Sequence, residues 1–131
     1  MLSRTAEYAL RAVVHLAQQP HGVPVRAGDL ADAVDVPRNY LGKILHELVR
    51  AGVLVSSRGK SGGFRLALPA EKLPLLRIVA PFDNVTEKRQ CILGRPECSE
   101  DDPCAAHSRW KTASEEISRF FRSTTVGNVL G

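Results

Sequence analysis

The stretch VPRNYLGKILHELVRAGVLVSSRGKSGGFRL, residues 36–66, changes its period part-way along. Leu41, Ile44, Leu45, Leu48 and Val49 recur at i, i+3, i+4, i+7 and i+8, which lays one apolar stripe along a helix. Pro37 suits the first helical position, where its missing N–H has no intrahelical partner. Gly52 stands where a left-handed residue commonly ends a helix. Strand pattern follows: residues 53–57 and 64–68 are two short candidates joined by Arg58-Gly59-Lys60-Ser61-Gly62-Gly63. A Gly-rich loop leading into a helix would suggest a phosphate-binding loop, but this one joins two strands. It reads as a basic hairpin, with glycines that let its backbone approach DNA closely.

Upstream, Asp35-Val36-Pro37 forms a tight turn, and Leu30, Ala31 and Val34 mark a short helix before it. Residues 24–26 read as extended. Ser3 can cap a first helix carrying Ala6, Ala9, Leu10, Val13, Val14 and Ala17 at helical spacing, ended by Pro20 and Gly22. Helix, helix, turn, helix and basic hairpin is the order of a winged helix-turn-helix. The expected fold is therefore mainly α with a small β-hairpin wing. Arg38, Asn39, Tyr40 and Lys43 lie opposite the buried stripe near the start of the third helix, the end that enters the major groove in such proteins. Arginine can take guanine bidentately and asparagine adenine, whereas Tyr40 and Lys43 suit phosphates equally well. Arg58, Lys60 and Arg65 add cations to the wing. The plain alternative is an ordinary exposed helix face.

Charge supports the functional reading. Residues 38–65 hold six Lys or Arg against the single acid Glu47, while from residue 73 onward acids and bases balance at eight each. The net charge of +4 thus reflects one segment, as a phosphate-facing surface requires. A length of 131 residues fits one compact module with an appended helix. No apolar run approaches the roughly 20 residues needed to span a bilayer, and Glu7 and Arg11 interrupt the first apolar stretch. A cytoplasmic protein without a membrane partner is expected. No Ser-His-Asp set, acid pair or phosphate loop points to catalysis.

All three cysteines fall in CILGRPECSEDDPCAAH, as Cys91, Cys98 and Cys104, with His107 three residues on. An odd count in a cytoplasmic protein argues against structural disulfides. The surrounding prolines, glycine and acids argue against core positions. Thiolates there suit a soft metal: three Cys and one His would satisfy a structural zinc or an iron–sulfur cluster with one non-Cys ligand, and the spacing does not choose. A cluster-free thiol-based redox sensor is a further alternative, although the neighbouring acids disfavour thiolate formation.

Taken together, these pieces resemble the Rrf2 family of transcription regulators. The resemblance is carried by Glu7-Tyr8-Ala9-Leu10-Arg11, Val36-Pro37-Arg38-Asn39-Tyr40-Leu41, Arg50-Ala51-Gly52-Val53-Leu54, the wing Arg58-Gly59-Lys60-Ser61-Gly62-Gly63-Phe64-Arg65-Leu66, and the three cysteines. It implies a repressor of double-stranded DNA whose operator affinity follows an iron–sulfur cluster sensing redox state, nitric oxide or iron supply, and it tips the metal from zinc to iron. It also implies a homodimer built on a long C-terminal helix. The residues agree: Ala106, Trp110, Ala113, Ile117, Phe120 and Phe121 form an apolar stripe over about 105–123. On this reading residues 1–72 form the DNA-binding domain, and 73–131 the cluster loop and dimerisation helix. The spacing between the first two cysteines slightly exceeds the family's. Two fourth ligands stay open. His107 matches the histidine that holds a two-iron cluster in some members, and Glu7 matches the position from which others supply a carboxylate across the dimer to a four-iron cluster. Otherwise His107 is a polar residue on an amphipathic helix, and Glu7 a surface acid four residues before Arg11 near a helix N-terminus.

Overall fold

The computed structural model describes residues 2–20, 22–83, 93, 101 and 103–130. Helix α1 (Arg4–Ala17) starts as expected, with the Ser3 hydroxyl oxygen accepting from the Ala6 N–H at 3.1 Å. Its buried residues are Ala6, Ala9, Ala12, Val13 and Leu16. Leu10, Val14 and Ala17, expected on the same face, are only half-buried, and Ala12 and Leu16 take their place. The helix carries more apolar residues than one stripe holds, so its neighbours choose among them. They are numerous: α2 (Ala27–Val34), α3 (Arg38–Arg50), β2 (Gly63–Leu66) and α4 (Leu75–Val79) all pack on α1.

Helix α2 ends at Asp35 in the left-handed region, φ 58°. Pro37 then caps α3 from outside rather than opening it, one residue earlier than expected. Its ψ of 134° turns the chain between the two helices, and its carbonyl accepts from the Leu41 N–H at 2.9 Å. Along α3, Leu41, Ile44, Leu45 and Leu48 are buried and Val49 half-buried. Gly52 has φ +78°, and Arg77 donates to the Ala51 carbonyl at 3.1 Å, placing a cation at the helix C-terminus.

Strand β1 (Leu54–Ser57) pairs antiparallel with β2, Leu54 opposite Leu66 and Ser57 opposite Gly63. Of the extended residues 24–26, Val25 forms an isolated antiparallel bridge to β2. Val25 and Phe64 exchange both backbone hydrogen bonds, at 2.9 and 2.8 Å. The wing is thus fastened, one pair below its loop, to the segment that opens α2.

The C-terminal part consists of 3-10 turns at Ala70–Lys72 and Val126–Val129, α4, and α5 (His107–Ser123). Leu75 N donates to Thr124 O and Val126 N to Leu73 O, both at 2.8 Å, stitching the chain end to the start of α4. Leu73, Ile78, Val79, Phe121 and Val126 are buried in one cluster with the apolar residues of α1 to α3. A single core therefore crosses position 72. Phe121 is the only buried residue of α5, so the first turns of that helix stand outside the core. Among the described residues, no helix is long and apolar enough to cross a membrane.

Candidate nucleic-acid interface and cysteine segment

Arg38, Asn39, Tyr40 and Lys43 are all exposed at the start of α3, as a groove-reading helix requires. Two of them already have partners. Arg38 donates to Asp32 of α2 twice, Nε to Oδ1 at 3.3 Å and Nη2 to Oδ2 at 2.7 Å. The hydrogen bond from the Arg38 guanidinium holds the Asp32 carboxyl below the usual carboxylate range, and the same bond raises Arg38 further above its own. The pair is ionised at neutral pH, and acid would dissolve it only on titrating Asp32 through that lowered range. Gly28 lies beside this guanidinium, and a Cβ there would make ordinary contact with Arg38 Cζ at 3.4 Å.

Tyr40 turns back toward α1. Its hydroxyl shares a 2.6 Å hydrogen bond with Thr5, and its ring stands edge-on to Tyr8 at 5.6 Å. Arg11 lies over the Tyr8 ring at 5.3 Å and donates to the Val34 carbonyl at 3.1 Å. Tyr40 thereby joins the start of α3 to α1, a contact that helical spacing alone does not reveal.

Within the wing, Arg58 and Lys60 are exposed in the connecting loop. Arg65, on β2, lines a different groove together with Leu16, Gln19 and Glu71. The glycines serve the chain before they serve a ligand. Gly63 has φ +148°, and a Cβ there would come within 2.4 Å of Val25 O. At Gly62 it would meet Ser57 O at the same 2.4 Å. The close approach expected toward DNA is, at these two positions, an approach of protein backbone to protein backbone.

Two residues of this surface escaped the sequence reading. Asp32 lies six residues before Arg38 across a turn, and no periodic rule joins them. Arg26 precedes the basic segment, yet its guanidinium donates to the Lys60 carbonyl at 2.6 Å. A cleft of about 430 Å³ between wing and helices has Arg26 and Arg38 on its walls.

Cys91 and Cys98 lie outside the described residues. Cys104 and His107 are both half-buried at the start of α5, one turn apart, with His107 N donating to Cys104 O at 3.0 Å. Among the described residues, no group of three or more His, Cys, Asp or Glu side chains gathers as a metal site. Asp83, the residue before the first stretch outside the described residues, accepts from Ser3 N at 2.7 Å, which places it beside the start of α1. Glu7 is exposed on that same helix and lines a groove of about 540 Å³ with Leu2, Glu116, Ile117, Phe120 and Phe121. Ile117 is ten residues beyond His107 on α5, roughly 15 Å along the axis at helical rise. In one protomer, then, Glu7 and the Cys104–His107 turn sit at different levels of the helix.

The C-terminal stripe divides in the same way. Phe121 is 6% exposed and belongs to the core of its own chain. Phe120 stands 50% exposed beside it, their rings edge-on at 5.2 Å. Trp110 and Ile117 are half-buried and Ala113 exposed.

The model of the Rrf2 family, described as an iron-dependent transcriptional regulator, matches residues 2–131. The chain belongs to the Rrf2 family. A helix-turn-helix type transcriptional regulator of Aquifex aeolicus is 33% identical to this Rrf2 protein over 99% of the chain and 91% of the relative. The regulator IscR of Vibrio atlanticus is 28% identical over 98% of the chain and 74% of its own length. Among solved structures, CymR, the global cysteine regulator of B. subtilis, superposes with a TM-score of 0.83 at 22% identity, covering 99% of this chain and 95% of that one. The Rrf2 fold, mostly helical with a two-stranded wing, is the one expected, and the family makes the protein a DNA-binding transcriptional regulator rather than an enzyme.

Proposed function

We propose that this Rrf2 regulator is a homodimer that represses by gripping double-stranded DNA with α3 and the wing, and that an iron–sulfur cluster on Cys91, Cys98 and Cys104 controls its grip. The observation that carries the sensor reading is the grouping of all three cysteines ahead of α5, with Cys104 and His107 one turn apart at its start. The donor set fits: three thiolates are soft ligands suited to iron–sulfur chemistry. His107 is the fourth ligand that requires one chain only, whereas Glu7, roughly 15 Å along α5 from His107, is the ligand that the partner subunit would supply. A two-iron cluster corresponds to His107 and a four-iron cluster to Glu7. The family's description as iron-dependent and the likeness to IscR support iron over zinc.

Such a cluster supplies a centre that reacts with oxidants or nitric oxide and depends on iron supply. The chain's own residues do the rest. Cys104 and His107 restrain the start of α5, whose first turns are outside the core, and Asp83 anchors the other end of the segment on α1. Releasing these ligands changes how α5 is held and, through the dimer, how far apart the two recognition helices stand. Half-sites lie roughly 34 Å apart, one helical turn, so a small rotation prevents both from docking together. The sensed state must bind one arrangement better than the other.

Purification without oxygen, with an absorption spectrum and iron and sulfide analysis, tests this. The expected protein is brown, with visible absorption lost in Cys98→Ala. A colourless protein carrying stoichiometric zinc, or no metal, removes the cluster and leaves a zinc-stabilised or thiol-based regulator.

The DNA surface has its own test. Arg38→Ala is expected to relax sequence preference on a selected operator, while Lys60→Ala lowers affinity for all sequences and reduces the salt slope by about one. Unchanged preference in Arg38→Ala removes Arg38 from base reading.

A further inference from the structure

We infer that Arg26 is the positioning residue of the wing, clamping its tip to the start of α2 so that wing and recognition helix meet DNA as one body. This rests on the reading of the wing as a DNA contact.

Arg26 occupies the N-cap of α2, in extended backbone with φ −70° and ψ 147°. That position favours Ser, Thr, Asp or Asn, whose short side chains satisfy the first helical N–H groups. Arg26 makes no such cap. Its guanidinium instead reaches across to the wing, where Nη2 donates to Lys60 O at 2.6 Å and lies 3.5 Å from Gly59 O. A hydrogen bond from an ionised donor is shorter and stronger than a neutral one. The carbonyl it holds belongs to Lys60, the residue whose ammonium is proposed to meet a phosphate.

The wing needs such a clamp. Residues 58–61 are exposed, and the hydrogen bond from Gly62 N to Gly59 O at 3.0 Å merely closes the turn on itself. A glycine-rich tip with exposed backbone is among the first parts of a protein to move. Just below the loop, one pair in from Ser57 and Gly63, β2 is held by the paired hydrogen bonds of Val25 and Phe64, which the absence of a side chain at Gly63 allows. Consecutive residues, Val25 and Arg26, thus hold the loop-side end of β2 and the tip of the same hairpin. Both belong to the segment that leads into α2, and α2 in turn positions Arg38 through Asp32. Arg26 spans the cleft between wing and helices at the level of the tip. Ordering the loop before DNA arrives removes part of the entropy that binding would otherwise cost.

The test compares Arg26→Ala and Arg26→Lys in the full chain. Nitrogen relaxation of the free protein is expected to show the order parameters of Gly59, Lys60 and Ser61 falling below about 0.6 in Arg26→Ala, with partial recovery in Arg26→Lys and no change in α1 and α3. On a mixed-sequence duplex longer than two helical turns, Arg26→Ala should bind about tenfold more weakly with an unchanged salt slope. Unchanged wing order overturns the clamp. A salt slope lower by about one marks Arg26 as a phosphate contact itself, which also overturns it. Lost wing order with full DNA affinity keeps Arg26 as a tether but removes the wing from DNA binding, and so overturns the reading beneath the inference.

Discussion

Exchanging Phe120 for aspartate is expected to leave a folded monomer that binds a palindromic operator roughly 10²–10⁴-fold more weakly than the parent. Phe120 is half exposed, at the edge of the groove shared by α1 and α5, so its own protomer gains little from it. In a two-fold interface one substitution acts twice. Each copy forfeits about 1.5–3 kcal/mol of apolar burial and introduces a carboxylate that must be desolvated. The neighbouring position supplies the contrast. Phe121 is 6% exposed in the protomer core, and Phe121→Asp should unfold the chain rather than merely separate it. Sedimentation, circular dichroism and operator titration measure all three properties. A Phe120→Asp protein that remains dimeric at micromolar concentration would place the interface elsewhere.

Leu45→Ala is expected to lower stability by about 2–5 kcal/mol, a large part of the roughly 5–15 kcal/mol available to a natural domain. Leu45 is fully buried on α3, which packs against both α1 and α2, so the vacated volume cannot close without moving a helix. Lys43→Ala, exposed on the same helix, should change stability by no more than about 0.5 kcal/mol. Both are to be read from urea unfolding at one protein concentration, since association raises apparent stability. A loss below about 1 kcal/mol in Leu45→Ala would mean that the three helices do not share a close-packed core.

Leu45 and Lys43 could be ranked from helical spacing alone, but Phe120 and Phe121 could not. Phe120 and Phe121 stand side by side in one apolar stripe, and spacing treats them alike; which one faces inward depends on the angle at which α5 meets the core. Arg38 likewise reads as an unattached cation until α2 brings Asp32 within 2.7 Å of it. Tyr40 reads as a groove-facing phenol until α1 presents Thr5 and Tyr8. Pro37 reads as the first helical residue, and its extended ψ places it just outside α3 instead.

By itself the sequence determined the three helices, the hairpin, the concentration of basic residues on α3 and the wing, and the grouping of the cysteines. Each is a matter of local period, local φ preference or simple proximity along the chain, and these act before any tertiary contact forms. Only the tertiary structure decided that Val25 bridges to β2, that Arg26 bonds to the wing, that Asp32 holds Arg38, and that Glu7 and His107 lie at different levels of α5. Such pairings join residues separated by turns or by most of the chain. The packing angles that bring them together come from the shape of the whole core, and no short window of sequence contains them.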